Sequence, residues 1–504
     1  MDFVRNFPLF TIILSLFSSA LSAMLKGEKA RILTITHEGL LISLNSVTLC
    51  LTYINGAFTY SMGEFPAPWG NEIRAGILEA MIALLFSIVL FASVTAGWKF
   101  LKIDIDESKI NLYYSLINLL TAALMALVWT NDIFTGYVFL EILTLTSCGI
   151  LIVREIGRTT LAAVRYMILN LMGSGLFLLG VVLLYNISGH LLMVPMHESL
   201  IEVSQNPDGL RVISLTTGIL TIGLAIKSGL FPFHFWMPDT YGWATPTSAS
   251  ILSSLVSKGY IFLLIKIYCR SIGLDIIAQT GVENILFVLG ICGIIFGSFS
   301  ALHAGNIDRM VAFSSAAQIG YIYMGIGMGT VAGLTSAIFQ ILCHAVTKSL
   351  LFLSTPYLAE VSGNSLLFKN LQGSAHKAKI PGIFFTIAAF SMIGVPIFAG
   401  FSMKVIFAGA AVEYGGLKMI AVMLALALSS LLNVMYFMRT IVRIYTRNNT
   451  DEITEPIASD QNEEETDTFS FITAGILLTF VNIFLGLFSW ISVELIIKGL
   501  SMFA

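Results

Sequence analysis

The chain has 504 residues, 56% of them hydrophobic and 11% charged, with a net charge of -3. Soluble globular proteins carry about 25% charged residues, so that class is excluded, and scattered lysines without a basic cluster give no support for nucleic-acid binding. The chain has a mean hydropathy of +0.87 and apolar runs of about twenty residues from end to end, which predicts an all-α polytopic membrane protein rather than a barrel of short alternating strands.

Arg5 precedes the run Phe7–Met24, which ends Ser-Ala-Leu-Ser-Ala, resembles a signal peptide and reads as an uncleaved first span. About fourteen transmembrane helices are predicted, near 7–24, 32–54, 77–97, 110–129, 131–153, 160–186, 211–238, 245–268, 280–303, 308–328, 331–357, 380–411, 416–445 and 468–496. Two of these, 211–238 and 380–411, are too long for one straight helix and contain the breakers Gly229, Pro232, Pro396 and Gly400. Spans four to eight and nine to thirteen read as two five-helix repeats, each with one broken, lysine-bearing helix in fourth place. An odd number of spans inverts the second repeat relative to the first, and such repeats put polar sites near the bilayer midplane.

The domain reading is three N-terminal helices (1–109), a first repeat (110–268), a second inverted repeat (280–447), an acidic loop (448–467) and a C-terminal helix (468–504). Positive charges place the loops bearing Lys26, Lys29, Arg31, Lys99, Lys102, Lys109, Arg154, Arg158, Lys369, Lys377, Lys379 and Arg447 inside the cell. The chain is then a multi-pass protein of the cell (inner or plasma) membrane with both termini on the outer side. Arg447–Asp467, with eight acids, reads as a solvated cytoplasmic loop, or as a docking surface for a partner.

The ionisable residues deep in these spans are Glu141, Lys227, Lys258, His344, Lys348 and Lys404. An ammonium in hydrocarbon costs about 2.5–3.5 kcal/mol even on lenient insertion scales, so such residues are rarely idle. His344 and Lys348 are four apart and share a helix face. If Glu141 meets Lys227 the ammonium is held; if they separate, the lysine can give up its proton, and histidine is the natural relay between lysines. The serine-rich stretches Ser248–Ser257 and Ser314–Gln318 are expected to hold bridging water, and His234, Asp239, Ser315 and Gln318 are candidates for access or support.

Lys266 and Arg270 read as snorkelling residues, Glu38 and Glu79 as interfacial. His37, His190, His197, His303 and His376 fall in loops or near span ends without ligand spacing. Cys50, Cys148, Cys269, Cys292 and Cys343 form no C-x-x-C pair and read as small packing residues. No metal site, haem motif or Rossmann loop is predicted, so no cofactor is expected in this chain.

KSGLFPFHFWMPD (227–239) and TPTSASILSSLVSKGY (245–260) resemble the signature of the large antiporter-like subunits. These occur in respiratory complex I, Mrp-type cation/proton antiporters and membrane-bound hydrogenases. RYMILNLMGSGLFLLGVVLLY (165–185), GNIDRMVAFSSAAQIGY (305–321), CHAVTKSLLFLS (343–354) and GVPIFAGFSMK (394–404) are similar to further blocks, so the resemblance covers roughly residues 60–445. It implies a fourteen-helix fold with two inverted five-helix repeats, an acid–lysine pair Glu141–Lys227, a bridging Lys258, a relay His344–Lys348 and a terminal Lys404. Lysine at that last position, and FPAPWG at 65–70, resemble the D-like branch of the Mrp antiporters. Two features depart from the family. Asp239-Thr240-Tyr241 stands where Asp-Ala-His is common, and NEIRAGILEAMIALL (71–85) lacks the usual aspartate-plus-serine pattern.

The expected function is proton translocation, with Na⁺/H⁺ exchange as an extension, by one membrane subunit of a larger complex. That complex is an antiporter, or a redox-driven pump of the hydrogenase or complex I type with a cytoplasmic redox arm. The expected partners are other integral membrane subunits, with H⁺ and Na⁺ as the ions. The rivals are a stand-alone secondary transporter of a small solute and a non-conducting structural subunit.

Overall fold

The computed structural model describes residues 2–62, 65, 70–447 and 461–503, with backbone only for residue 2 and residues 461–466. The expected acidic loop therefore lies mostly outside the described residues, as does the centre of FPAPWG. The main helices are α1 (Phe7–Met24), α2 (Gly27–Asn55), α3 (Ile77–Ala96), α4 (Ile110–Trp129), α5 (Ile133–Ile152) and α6 (Gly157–Ser188). The first broken segment follows as α7 (Pro207–Ser228) and α8 (Met237–Trp243), then α9 (Pro246–Ile272). The second half contains α10 (Val282–His303), α11 (Ile307–Ile326), α12 (Val331–Glu360), α13 (Lys379–Ile393), α14 (Ala399–Tyr414) and α15 (Gly416–Tyr445). The chain closes with α16 (Gln461–Leu487) and α17 (Ser489–Ser501).

By length and composition, twelve helical segments among the described residues suffice to cross a membrane. The expected span 308–328 is the helix α11, whose buried serines, glutamine and tyrosines lower its hydropathy. The expected span 380–411 is two shorter helices, α13 and α14, separated by a break. The fold is not purely helical. A two-stranded antiparallel ribbon, β1 (Phe58–Ser61) with β2 (Glu72–Ala75), pairs Phe58 with Ala75 between α2 and α3.

Both broken helices end in the same way. Gly229 and Gly394 take left-handed backbone at φ 78° and 93°. The next amides, Leu230 N–H and Val395 N–H, reach back to the carbonyls of Ala225 and Phe390. This is the Schellman cap, with an apolar residue following the glycine, and a proline closes each turn at Pro232 and Pro396. After the first break a 3₁₀ turn, Phe233–Trp236, leads into α8. After the second, α14 starts so close to the end of α13 that a Cβ on Gly400 would sit 1.8 Å from the Ser391 carbonyl oxygen. Only glycine fits there.

In α9 and α12 the whole apolar stretch is buried inside the bundle. Both are too rich in lysine, serine and threonine to face lipid, and their central position keeps those groups away from it. In α9 two π-helical segments, Leu252–Val256 and Ile267–Ile272, interrupt the regular turn. Such segments are frequent at functional sites because they redirect backbone carbonyls.

Candidate functional site

Lys227 lies in the last turn of α7, where the carbonyl end of the helix favours a cation. Its Nζ is 3.4 Å from Glu141 Oε1 on α5 and donates to Thr144 Oγ1 at 2.7 Å. Glu141 and Thr144 are three residues apart and so present to the same neighbour. Tyr260 of α9 sets its ring 5.4 Å from the ammonium and its hydroxyl 3.1 Å from Thr144 Oγ1. The lysine side chain is wholly buried, whereas Glu141 keeps 21% exposure.

Two residues before Tyr260, the buried Lys258 donates to the Ser253 carbonyl in the π-segment and to Ser257 Oγ at 3.0 Å. Ser253 Oγ meets Ser315 Oγ of α11 at 2.9 Å, which carries the polar contacts into the second repeat. The neighbouring Ser314 Oγ accepts from Lys348 of α12, whose Nζ also donates to the Val311 carbonyl at 2.9 Å.

His344, one turn from Lys348, is buried and, among the described residues, has no hydrogen-bond partner on either ring nitrogen. It faces a small cavity shared with Gln318, Gln340, Thr347, Ser391 and Gly400. The space suits about one water, and the orphaned imidazole supplies the polar partners a water needs. Gln318 Oε1 accepts from Gln340 at 2.6 Å on the same wall. Beyond the cavity, Lys404 of α14 donates to the Ile393 carbonyl at the end of α13 and to Ser430 Oγ at 2.8 Å. Each repeat thus seats a lysine at the carbonyl end of its broken helix, from inside that helix in the first case and across the break in the second. Among the described residues, Lys227 alone of the four axial lysines has a carboxylate within ion-pair distance.

Not every expected residue joins this line. Asp239 forms a clamp between Arg165 of α6 at 3.0 Å and Arg309 of α11 at 3.2 Å. His234 lies in the first break beside the Phe231 ring, with Nδ1 unpartnered. Gly229, Pro232, Pro396 and Gly400 act through backbone shape.

Four expectations are corrected. Lys266 does not snorkel; it is buried and donates to the Val128 carbonyl at 2.8 Å and to the Thr130 carbonyl. Arg270 is also buried, 3.1 Å from Asn131 Oδ1. Glu79 is buried against Arg74 at 2.5 Å, and Arg74 reaches the Met502 carbonyl. The β-ribbon and the end of the chain cover this side of the bundle, so these charges find protein partners instead of water. Glu38 is buried within α2 rather than interfacial, with His37 buried beside it.

Sequence reasoning missed the residues that join the titratable groups: Thr144, Tyr260, Ser430 and above all Asn482. Asn482 Nδ2 on α16 donates to Thr347 Oγ1 at 2.9 Å and Ser391 Oγ at 3.1 Å, while its Oδ1 accepts from the Ala399 amide at 3.3 Å. A lone amide in an apolar span was the available signal.

Residues 130–432 match the family described as NADH:quinone oxidoreductase/Mrp antiporter, transmembrane. This chain belongs to that family. The NADH-quinone oxidoreductase subunit N of Desulforudis audaxviator is 30% identical over 447 residues, 88% of this chain and 87% of its own length. The Na(+)/H(+) antiporter D-subunit of Bacillus subtilis is 25% identical over 405 residues, 80% of each chain. The fold of this family member is shared with a chain of the membrane-bound sulfane sulfur reductase, an archaeal respiratory membrane complex, at TM-score 0.85 and 23% identity, covering 100% of this chain and 98% of that one. It is shared equally with a chain of the Mrp complex from Dietzia sp. DQ12-45-1b, at TM-score 0.85 and 19% identity, covering 99% and 97%.

Proposed function

We propose that this antiporter-family chain is a proton-translocating subunit of a multisubunit membrane complex, working through Glu141, Lys227, Lys258, His344, Lys348 and Lys404. The observation that carries the reading is the string of buried cations lying between hydroxyls and carbonyls with a single carboxylate among them. Lys258, Lys348 and Lys404, with no carboxylate within ion-pair distance among the described residues, are not held charged by a fixed counter-ion, whereas Lys227 has Glu141 as a partner from which it can separate. Thr144, Tyr260, Ser253 and Ser315 supply groups that both donate and accept, as proton exchange along a chain requires. The Na(+)/H(+) antiporter relatives extend the reading to exchange of protons for sodium, and the quinone oxidoreductase relatives to a cytoplasmic redox arm.

Partner membrane subunits belong to the same reading. Glu141 sits between the exposed Val138 and Leu145 on one face of α5, so a carboxyl with 21% of its side chain exposed lies on an apolar surface. A neighbouring subunit covering that face would remove the carboxyl from lipid and place its own donor beside it.

The test is ion flux in liposomes holding the assembled complex, read with a pH-sensitive dye inside the vesicles. Glutamine in place of Lys227 or Lys404 should abolish proton movement while leaving the assembly intact. Unchanged proton movement in both variants would overturn the reading in favour of a structural subunit.

A further inference from the structure

A second buried titratable site lies outside both repeats. The interior face of α2 is built from Thr34, His37, Glu38, Asn45, Thr48 and Thr52, with only Ala30 and Leu41 as buried apolar residues. The facing side of α1 is mostly serine and threonine. Serine and threonine are usual where membrane helices pack, so the distinctive members of this face are the ionisable His37 and Glu38. Here a polar seam runs along α1, α2 and α4. At one level Asn118 of α4 donates to Ser22 Oγ at 2.8 Å and Thr34 Oγ1 at 3.0 Å. Further along, Asn45 donates to Ser87 Oγ of α3 at 2.8 Å.

Between these levels lie His37 and Glu38, whose side chains are 3% and 0% exposed. His37 Nδ1 is 3.6 Å from Glu38 Oε1, while its Nε2 is 3.0 Å from Ser15 Oγ. Thr121 Oγ1 of α4 donates to Glu38 Oε1 at 2.8 Å. Among the described residues, His37 Nδ1 and Glu38 Oε2 have no hydrogen-bond partner. They are the atoms of the pair at which a proton can be gained without breaking an existing hydrogen bond.

The surrounding hydroxyls suit both states. Thr121 Oγ1 is also 3.0 Å from the Ile117 carbonyl, and Ser15 Oγ is 2.6 Å from the Thr11 carbonyl. Each hydroxyl can therefore donate to the site, or turn its hydrogen to the helix carbonyl and accept from the site. A proton added at Glu38 Oε2 or at His37 Nδ1 leaves both hydroxyl contacts in place.

We propose that His37 and Glu38 form a second proton-binding site, in the N-terminal three-helix module, loaded and unloaded along the polar seam of α1, α2 and α4. No titratable residue occurs on α1; Glu79 lies near the start of α3, and Tyr113 and Tyr114 lie near the start of α4. Among the described residues, none of these three is paired with His37 or Glu38, whose shortest charged contact is with each other. The proposal is independent of the lysine axis, since proton binding here is read without any ion flux.

The experiment is pH-difference infrared spectroscopy on the full chain in lipid nanodiscs, between about pH 5 and 8, where histidine charge changes. The expected result is a carboxylic-acid carbonyl band that changes with pH, is lost in Glu38→Gln and is displaced in His37→Gln. A spectrum of Glu38→Gln identical to that of the unmodified chain overturns the proposal. Should Glu38→Gln fail to insert, Thr121→Val decides, because it keeps both titratable groups and removes one hydroxyl. The titration midpoint must then move, and an unmoved midpoint also overturns the proposal.

Discussion

Lys227 and Glu141 meet at 3.4 Å across α7 and α5, with the lysine sealed inside the bundle and the glutamate at its edge. Under the proposed function this asymmetry would give the pair a direction: the carboxyl would exchange protons with the outside of the chain, and the lysine would pass them inward, past Thr144 and Tyr260. Glu141→Ala should therefore stop proton movement in the reconstituted assembly while the chain still inserts. Removing one partner of a buried pair costs about 3–5 kcal/mol, so a lower melting temperature in detergent should accompany the loss. Normal flux at a lowered melting temperature would reduce the pair to a structural role.

Lys404 offers a sharper separation. Its contacts are a carbonyl and a hydroxyl, which accept from any cation. Lys404→Ala should abolish translocation, and Lys404→Arg should fail as well, since a guanidinium does not release its proton in proteins. Full activity of the arginine variant would mean that the position supplies positive charge alone.

Asn482 bonds α12, α13 and the first turn of α14 at once. Asn482→Leu should destabilise the chain by about 1–3 kcal/mol, the cost of leaving buried partners unsatisfied. It should also slow translocation, because the second break loses its tether. Thermal unfolding and flux are expected to fall together; a drop in stability with unchanged flux would separate Asn482 from the polar line.

Gly400→Ala tests the geometry of that break directly. A methyl group 1.8 Å from the Ser391 carbonyl cannot be accommodated without displacing α14. The variant should lose translocation even though no charge is altered, and a fully active alanine variant would show that the break tolerates movement.

Under the proposed function the chain carries protons as one subunit of a larger assembly. Purified alone in liposomes, it should show little or no Na⁺/H⁺ exchange, whereas the intact assembly should move ions. Exchange by the single chain at the rate of the assembly would favour the stand-alone transporter.

What the sequence determined by itself follows from the bilayer. A buried charge is expensive in hydrocarbon, so each lysine in an apolar run announces itself, and glycine and proline mark where the helix must open. Those two constraints made Lys227, Lys404 and both broken helices legible, and the repeated Schellman caps at Gly229 and Gly394 agree with that reading. Serine, threonine and asparagine cost too little in a span to stand out, so Thr144, Ser430 and Asn482 acquire meaning only when helices distant in sequence bring them together. Burial likewise could not be read locally. Lys266, Arg270 and Glu79 look interfacial by position, and it is the β-ribbon and the end of the chain folding over them that shuts out the water. The same holds for His37 and Glu38. Their environment is set by Ser15 and Thr121 on two other helices, a contact between segments that no pattern along one strand of sequence encodes.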